Sequence, residues 1–177
     1  MANALAQFDA WRNQKDVEGD PSSAGTIRRN ILQGHIESTG DTAGNSAPRA
    51  SGAFEATNLG TYFNVYVHFR LPLNINVDRE MFWFNIKGYS YGSAKIVEET
   101  VVGYCYSTAR ELRNISTFGN MTPEVYTDSA GNVVMRILFS DIYFTTLRID
   151  TMRVGNGRLF SVGEIETRLS LAAKVEF

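Results

Sequence analysis

The chain has 177 residues and a formal net charge of −2, with 17 Lys and Arg against 19 Asp and Glu. That length suits one folded domain plus an appendage, and the near-balanced, slightly acidic charge argues against a general nucleic-acid binder, which would carry a basic excess. Cys105 is the only cysteine and the two histidines, His35 and His68, lie far apart, so an internal disulfide is excluded and no metal or cofactor is expected.

Residues 1–18 place Leu5, Phe8 and Trp11 at helical spacing, with Asn3 as an N-cap and Gly19 followed by Pro21 as a stop. So short an amphipathic helix is marginal alone and needs a partner surface, either its own domain or a larger assembly. The segment has neither the basic start nor the continuous apolar core of a signal peptide, and no run in the chain approaches a membrane span; synthesis in a cytoplasm without membrane insertion is the expectation. From residue 19 to 53 Gly, Ser, Thr, Asn, Asp and Ala dominate, a composition that buries too little apolar surface to fold alone. Ile27, Ile31, Leu32 and Ile36 interrupt it as a short helix or as extended pieces lying in a neighbour's groove. Residues 1–53 therefore read as an anchoring arm and linker, docked through Leu5, Phe8, Trp11, Ile27, Ile31 and Leu32, and residues 54–177 as the folded domain.

The period becomes two from Thr61. Phe63, Val65, Val67, Phe69 and Leu71 share one face, while Tyr62, Asn64, Tyr66, His68 and Arg70 share the other, which predicts a strand with one face on a core. Pro72 should limit its pairing at the end. Met81–Tyr89 and Lys95–Tyr106 follow as two aromatic and β-branched arms around Ser90–Ala94, where Gly92 supplies an unusual backbone angle. Residues 107–117 read as a loop with a short strand or helical turn. Glu124–Thr127 and Asn132–Ser140 flank a turn with Gly131 at a left-handed position. Ile142, Phe144, Leu147 and Ile149 imply a further strand with a bulge near Thr145 and Thr146. Val162, Ile165, Leu169, Leu171 and Val175 are the expected inward residues of the last segment. Eight or nine short strands at regular spacing predict an all-β fold, a jelly-roll-like antiparallel β-sandwich with an extended or helical N-terminal arm.

Chemistry is poorly marked. No G-x-S-x-G appears, and Cys105 within GYCY has no basic partner nearby, so it reads as a small core residue. Glu98 and Glu99 are adjacent and must face opposite sides of a strand; Asp78 and Glu80 can share a side, where solvated surface is the ordinary outcome. No catalytic residue is assigned and an enzyme is not expected. The aromatic residues are the better lead. Trp83, Tyr89, Tyr91, Tyr104 and Tyr106, with Tyr66 and His68 on the second face of their strand, exceed the needs of one core face and could contact another subunit or a glycan.

The stretches YVHFRLPLNI, MFWFNIKGYSYGSAKIVEETVVGYCY and ISTFGNMTPEVYTDSAGNVVMRILFSDIYFTTLRIDTMRVGNG resemble a domain of tailed-phage virion structural proteins, the module of tail-fibre and related proteins of marine phages including cyanophages. The likeness spans residues 61–157 and rests chiefly on GYSYG, VGYCY, GNVVMRILF and RVGNG; the N-terminal arm is outside it. It implies a virion surface component, a homotrimer, and other virion proteins as partners, with no catalytic motif to carry over. A tail-fibre or receptor-binding component attached through the arm is the first expectation. A capsid decoration protein is the alternative, followed by a carbohydrate-binding module and a polysaccharide-degrading enzyme that would use Asp78 or Glu80. The expected location is the virion, assembled in the host cytoplasm.

Overall fold

A computed structural model of the chain describes residues 29–37, 54–55, 63–160 and 163–177. Its strands are β1 (Arg29–Glu37), β2 (Phe54–Glu55), β3 (Phe63–Asn74), β4 (Arg79–Ser90), β5 (Lys95–Tyr106), β6 (Glu111–Gly119), β7 (Glu124–Thr127), β8 (Asn132–Asp141), β9 (Thr145–Met152) and β10 (Glu166–Ser170). They form two sheets, ordered β1-β9-β4-β5-β6 and β2-β10-β3-β8-β7. All neighbours are antiparallel except β2, which runs parallel to β10. In chain order the described strands change sheet between β1 and β2, β3 and β4, β6 and β7, β8 and β9, and β9 and β10, and β3 pairs with β8 in one sheet while β4 pairs with β9 in the other. This is a β-sandwich, as expected, with β4-β5-β6 laid down as a meander on one side.

Alternation builds the core. Along β3 the side chains of Val65, Val67, Phe69, Leu71 and Leu73 are all buried. They meet Val133, Met135, Ile137 and Phe139 of β8, Phe82, Phe84 and Ile86 of β4, and Leu147 and Ile149 of β9 in one continuous cluster. Each such side chain contributes roughly 1.5–3 kcal/mol by leaving water. The β3 strand runs through Pro72 to Asn74; its ladder to β8 slips between Arg70 and Asn74, where proline has no N–H to give.

Four expectations need correction. Arg29–Glu37, placed in the arm by its composition, pairs antiparallel with β9, so Ile31 and Leu32 lie in a strand of the sandwich's own sheet. Leu5, Phe8, Trp11 and Ile27 lie outside the described residues. In the β4–β5 turn the left-handed angle falls on Ala94, at φ +49°, and not on Gly92. Gly92 is needed for a different reason, because any Cβ there would collide with the Asp141 carboxylate. Residues 111–119 are a full strand, β6, exposed along nearly all its length at the sheet's edge. Residues 142–144 do not continue a bulged strand; they turn the chain from one sheet into the other, leaving Ile142 buried and Phe144 exposed at φ +47°.

The β7–β8 turn is as expected, with Gly131 at φ +86°. Asp128 closes it: its carboxylate accepts from the backbone and side-chain N–H groups of Asn132, both at 2.8 Å. Burial alone would raise the Asp128 pKa, but these donors, with the backbone N–H groups of Phe177 and Ala130, outweigh it and hold the carboxyl below its ordinary value. After β10, with Ile165 and Leu169 buried, Leu171 turns out to be exposed and Val175 half-buried, because the tail leaves the core and crosses the outer surface of the β3–β8 sheet.

Candidate functional site

The candidate contact residues fall into three groups. The first lies on the outer face of the β4–β5–β6 meander. Pleating puts Met81 and Trp83 of β4 on the same side as Val102, Tyr104 and Tyr106 of β5, opposite Tyr104, Val102 and Arg79 respectively in the ladder for the first, second and last. The Tyr104 and Tyr106 rings stack with centroids 5.6 Å apart, and the guanidinium groups of Arg113 and Arg79 lie 4.4 and 5.3 Å from the Tyr106 ring. Trp83, Tyr104 and Tyr106 are half-buried. Beside them Met81, Val102, Tyr104, Asn114 and Val154 line a shallow apolar cavity of about 240 Å³. Lys87 and Glu98 pair across the same face at 2.8 Å. Glu99 points the other way, as the strand period requires: it is buried, accepts the Met121 N–H at 2.9 Å, and burial raises its pKa.

The second group is an aromatic corner at one end of the sandwich. Tyr89 ends the outer row of β4 and Tyr91 opens the turn to β5. The β8–β9 crossing brings Tyr143 and Phe144 against them. Two backbone bonds fasten the corner, from Tyr91 N–H to the Phe144 carbonyl at 3.3 Å and from Gly92 N–H to the Tyr143 carbonyl at 3.0 Å. Ring centroids are 6.5 Å apart for Tyr89 and Tyr91, 6.1 Å for Tyr91 and Tyr143, 6.3 Å for Tyr91 and Phe144, and 4.7 Å for Tyr143 and Phe144. Tyr91 is 59% exposed, Tyr89 46% and Phe144 43%, so these residues are open to solvent. Tyr143 and Phe144 were not anticipated. Their signal was the Asp141 break, after which a continued strand would have turned Phe144 inward.

In the third group His68 is covered and Tyr66 is half-buried. His68 faces outward from β3 yet is completely buried, because Tyr126 of β7 and the C-terminal tail cover it. Its Nε2 lies 3.1 Å from the Ala172 carbonyl and its Nδ1 lies 3.0 Å from the Tyr126 hydroxyl. A carbonyl only accepts, so Nε2 carries the proton and Nδ1 accepts from tyrosine. Tyr66 is half-buried next to this network, with the Arg136 guanidinium 5.0 Å from its ring centroid.

The carboxylates of Asp78 and Glu80 are engaged in hydrogen bonds. Asp78 accepts the Asn74 N–H at 2.6 Å and so closes the β3–β4 turn. Glu80, expected at a solvated surface, is buried and holds Arg158 through both its backbone N–H and Nε. Cys105 is buried in the core, and burial, with Asp78 and Glu80 adding to it, pushes its thiol up to about 12. Among the described residues no three His, Cys, Asp or Glu side chains converge as metal ligands would. The three groups thus separate into a half-buried aromatic sheet face, an exposed aromatic corner and a closed polar latch. No protein-family model matches the chain, and no curated protein matches it significantly.

Proposed function

We propose that the chain is a surface structural protein of a tailed-phage virion, a tail-fibre or receptor-binding component attached through its N-terminal segment. The aromatic corner carries this reading. Four rings gathered at one end of a sandwich, on backbone pinned by cross-turn hydrogen bonds, make a preformed contact surface, and exposed aromatic groups of this kind mark interaction sites. The resemblance of residues 61–157 to tail-fibre-type modules supports the same placement. The outer face bearing Trp83, Tyr104 and Tyr106 is then the contact surface between subunits of a homotrimer.

Purified protein should compete with phage particles for adsorption to host cells, and sedimentation should give a trimer. Absence of competition, together with binding of the protein to preformed capsids, would replace attachment with capsid decoration. A stable monomer at micromolar concentration would contradict the trimer.

A further inference from the structure

Near the start of β4 the outer sheet face opens into the apolar cavity of about 240 Å³ between Met81, Val102, Tyr104 and Val154, with Phe82 beneath. Met81 is 43% exposed, and an apolar surface gathered in this way gains by being covered. Farther along the same face, Asn85 of β4 stands opposite Asp150 of β9. Both point away from the core, because Phe84 and Ile86 on either side of Asn85 point into it. Yet Asp150 is completely buried and Asn85 is 4% exposed. A sheet face open to water does not bury a carboxylate and an amide so fully. The face is built to lie beneath a further layer.

Strand register points to the layer. Arg29, where β1 begins, stands opposite Met152 of β9, and the two strands are antiparallel. The chain therefore enters β1 from the side on which β9 runs on to Val154, a residue of the cavity wall. Residues 1–28 thus approach the sandwich at the cavity's own end. Within them Leu5, Phe8 and Trp11 have the spacing of an amphipathic helix too short to stand alone. About 18 residues separate Trp11 from Arg29, and a coil of that length spans about 23 Å on average. The cavity lies no more than three strand spacings from β1, about 15 Å, so the tether reaches. A tethered segment also has an effective concentration in the millimolar range, which a second copy of the chain lacks at micromolar concentration. Size agrees: a cavity of about 150 Å³ encloses a benzene ring, so about 240 Å³ has room for the larger indole of Trp11.

We propose that the segment around Leu5, Phe8 and Trp11 docks as an amphipathic helix on the outer face of its own sandwich, with the Trp11 side chain in the cavity between Met81, Tyr104 and Val154. This is helix-in-groove recognition made intramolecular. Side chains three residues apart lie on one side of a helix, so all three can meet the sheet while position 10 faces away from it. Docked there, the segment forms a third layer at one end of the face assigned above to subunit contact and becomes part of that contact. The docking itself does not depend on the attachment reading.

The test uses the full chain, isotopically labelled, with Ala10→Cys carrying a nitroxide; the enclosed Cys105 stays unlabelled. The nitroxide should broaden the amide signals of residues 81–83, 102–104 and 153–155, while those of β7 and β10, in the other sheet, stay sharp. Trp11→Ser should weaken docking about tenfold and remove most of the broadening. Val154→Glu should do the same from the cavity side, and if it fails to fold, Trp11→Ser decides alone. Sharp signals at all three sites overturn the proposal, as does broadening that Trp11→Ser leaves intact. Isotopically labelled chains without nitroxide, mixed with nitroxide-bearing chains without isotope, should stay sharp. Equal broadening in that mixture would assign the segment to a second copy and overturn docking within one chain. Adsorption competition without broadening would remove docking and leave attachment standing, whereas broadening without competition would keep docking and remove attachment.

Discussion

The hydroxyl of Tyr126, on β7, reaches Nδ1 of His68, on β3, at 3.0 Å and also receives the Val175 backbone N–H at 3.0 Å. One phenol thus ties two strands of a sheet to the tail that crosses them. Arg168 joins the latch through the Glu176 carbonyl and the Phe177 ring, and Ser129 holds the Glu176 carboxylate.

This latch makes stability depend on pH. Burial pushes His68 down from 6.5 to about 4; the Ala172 carbonyl works in the opposite direction, and the charges of Arg136 and Arg168 reinforce burial. Near neutrality the imidazole is uncharged in both folded and unfolded chains. As pH falls through 6.5 the unfolded chain takes up a proton that the folded chain refuses, and the deficit stops growing at about pH 4. The loss is at most about 3 kcal/mol. Urea midpoints measured across that window should fall for the wild type and stay flatter for His68→Gln. An identical pH slope in both proteins would show that His68 is not the group responsible.

Tyr126→Phe leaves Nδ1 of His68 and the Val175 N–H without their partner. The expected cost is about 1–3 kcal/mol in equilibrium unfolding, with faster hydrogen exchange concentrated in residues 171–177. Uniform exchange across the whole domain would argue against a local latch.

Glu80 joins β4 to the segment before the last strand. It accepts Arg158 N–H and Nε, each at 2.9 Å, while the far end of the same guanidinium donates to the Pro72 carbonyl. Because the arginine is partly exposed, Glu80→Ala should cost about 2–3 kcal/mol rather than the larger loss of a wholly buried pair. A double-mutant cycle with Arg158→Ala checks it: the double variant should lose less than the two single losses added. Additive losses would mean that the two side chains act independently.

Much of this architecture was legible because the relevant strands have two different faces. β3 announces itself through Val65, Val67, Phe69 and Leu71, and the β4–β5 hairpin through its β-branched and aromatic arms around a small-residue turn. β6 was legible only as a short strand or a helical turn, for the converse reason. At the sheet edge, with both faces wet, a strand has no alternation to display. β1 lies in a polar stretch and is held by pairing with β9, more than a hundred residues away in the chain. Local pattern carries no trace of such a partner. The site divides the same way. Tyr89 and Tyr91 stood out as surplus aromatics, but their meeting with Tyr143 and Phe144 depends on where the chain changes sheet. His68 looked exposed because its strand face is polar, and it is Tyr126 of β7 and the returning tail that bury it.

Phe84 lies at the centre of the core with its ring stacked on Phe160 at a centroid distance of 5.3 Å. Phe84→Ala should destabilise the domain by about 3–5 kcal/mol, through lost burial and the cavity left behind. Thermal unfolding of the two proteins side by side checks this, and a cost below about 1 kcal/mol would mean the two sheets do not pack as described.

Cys105 should be inert in the native state. Its thiol is enclosed and pushed up to about 12 by burial, so maleimide should label it only after the domain is unfolded in urea. Rapid labelling of the native protein would require the β5 core face to open.

The proposed display on a phage virion is tested most directly by imaging particles purified from cultures that produce this protein, with gold-labelled antibody raised against it. The account predicts gold on the outside of intact particles, clustered at the tail or its fibres. Particles free of gold, with the protein recovered only from the soluble fraction of the host lysate, would contradict it.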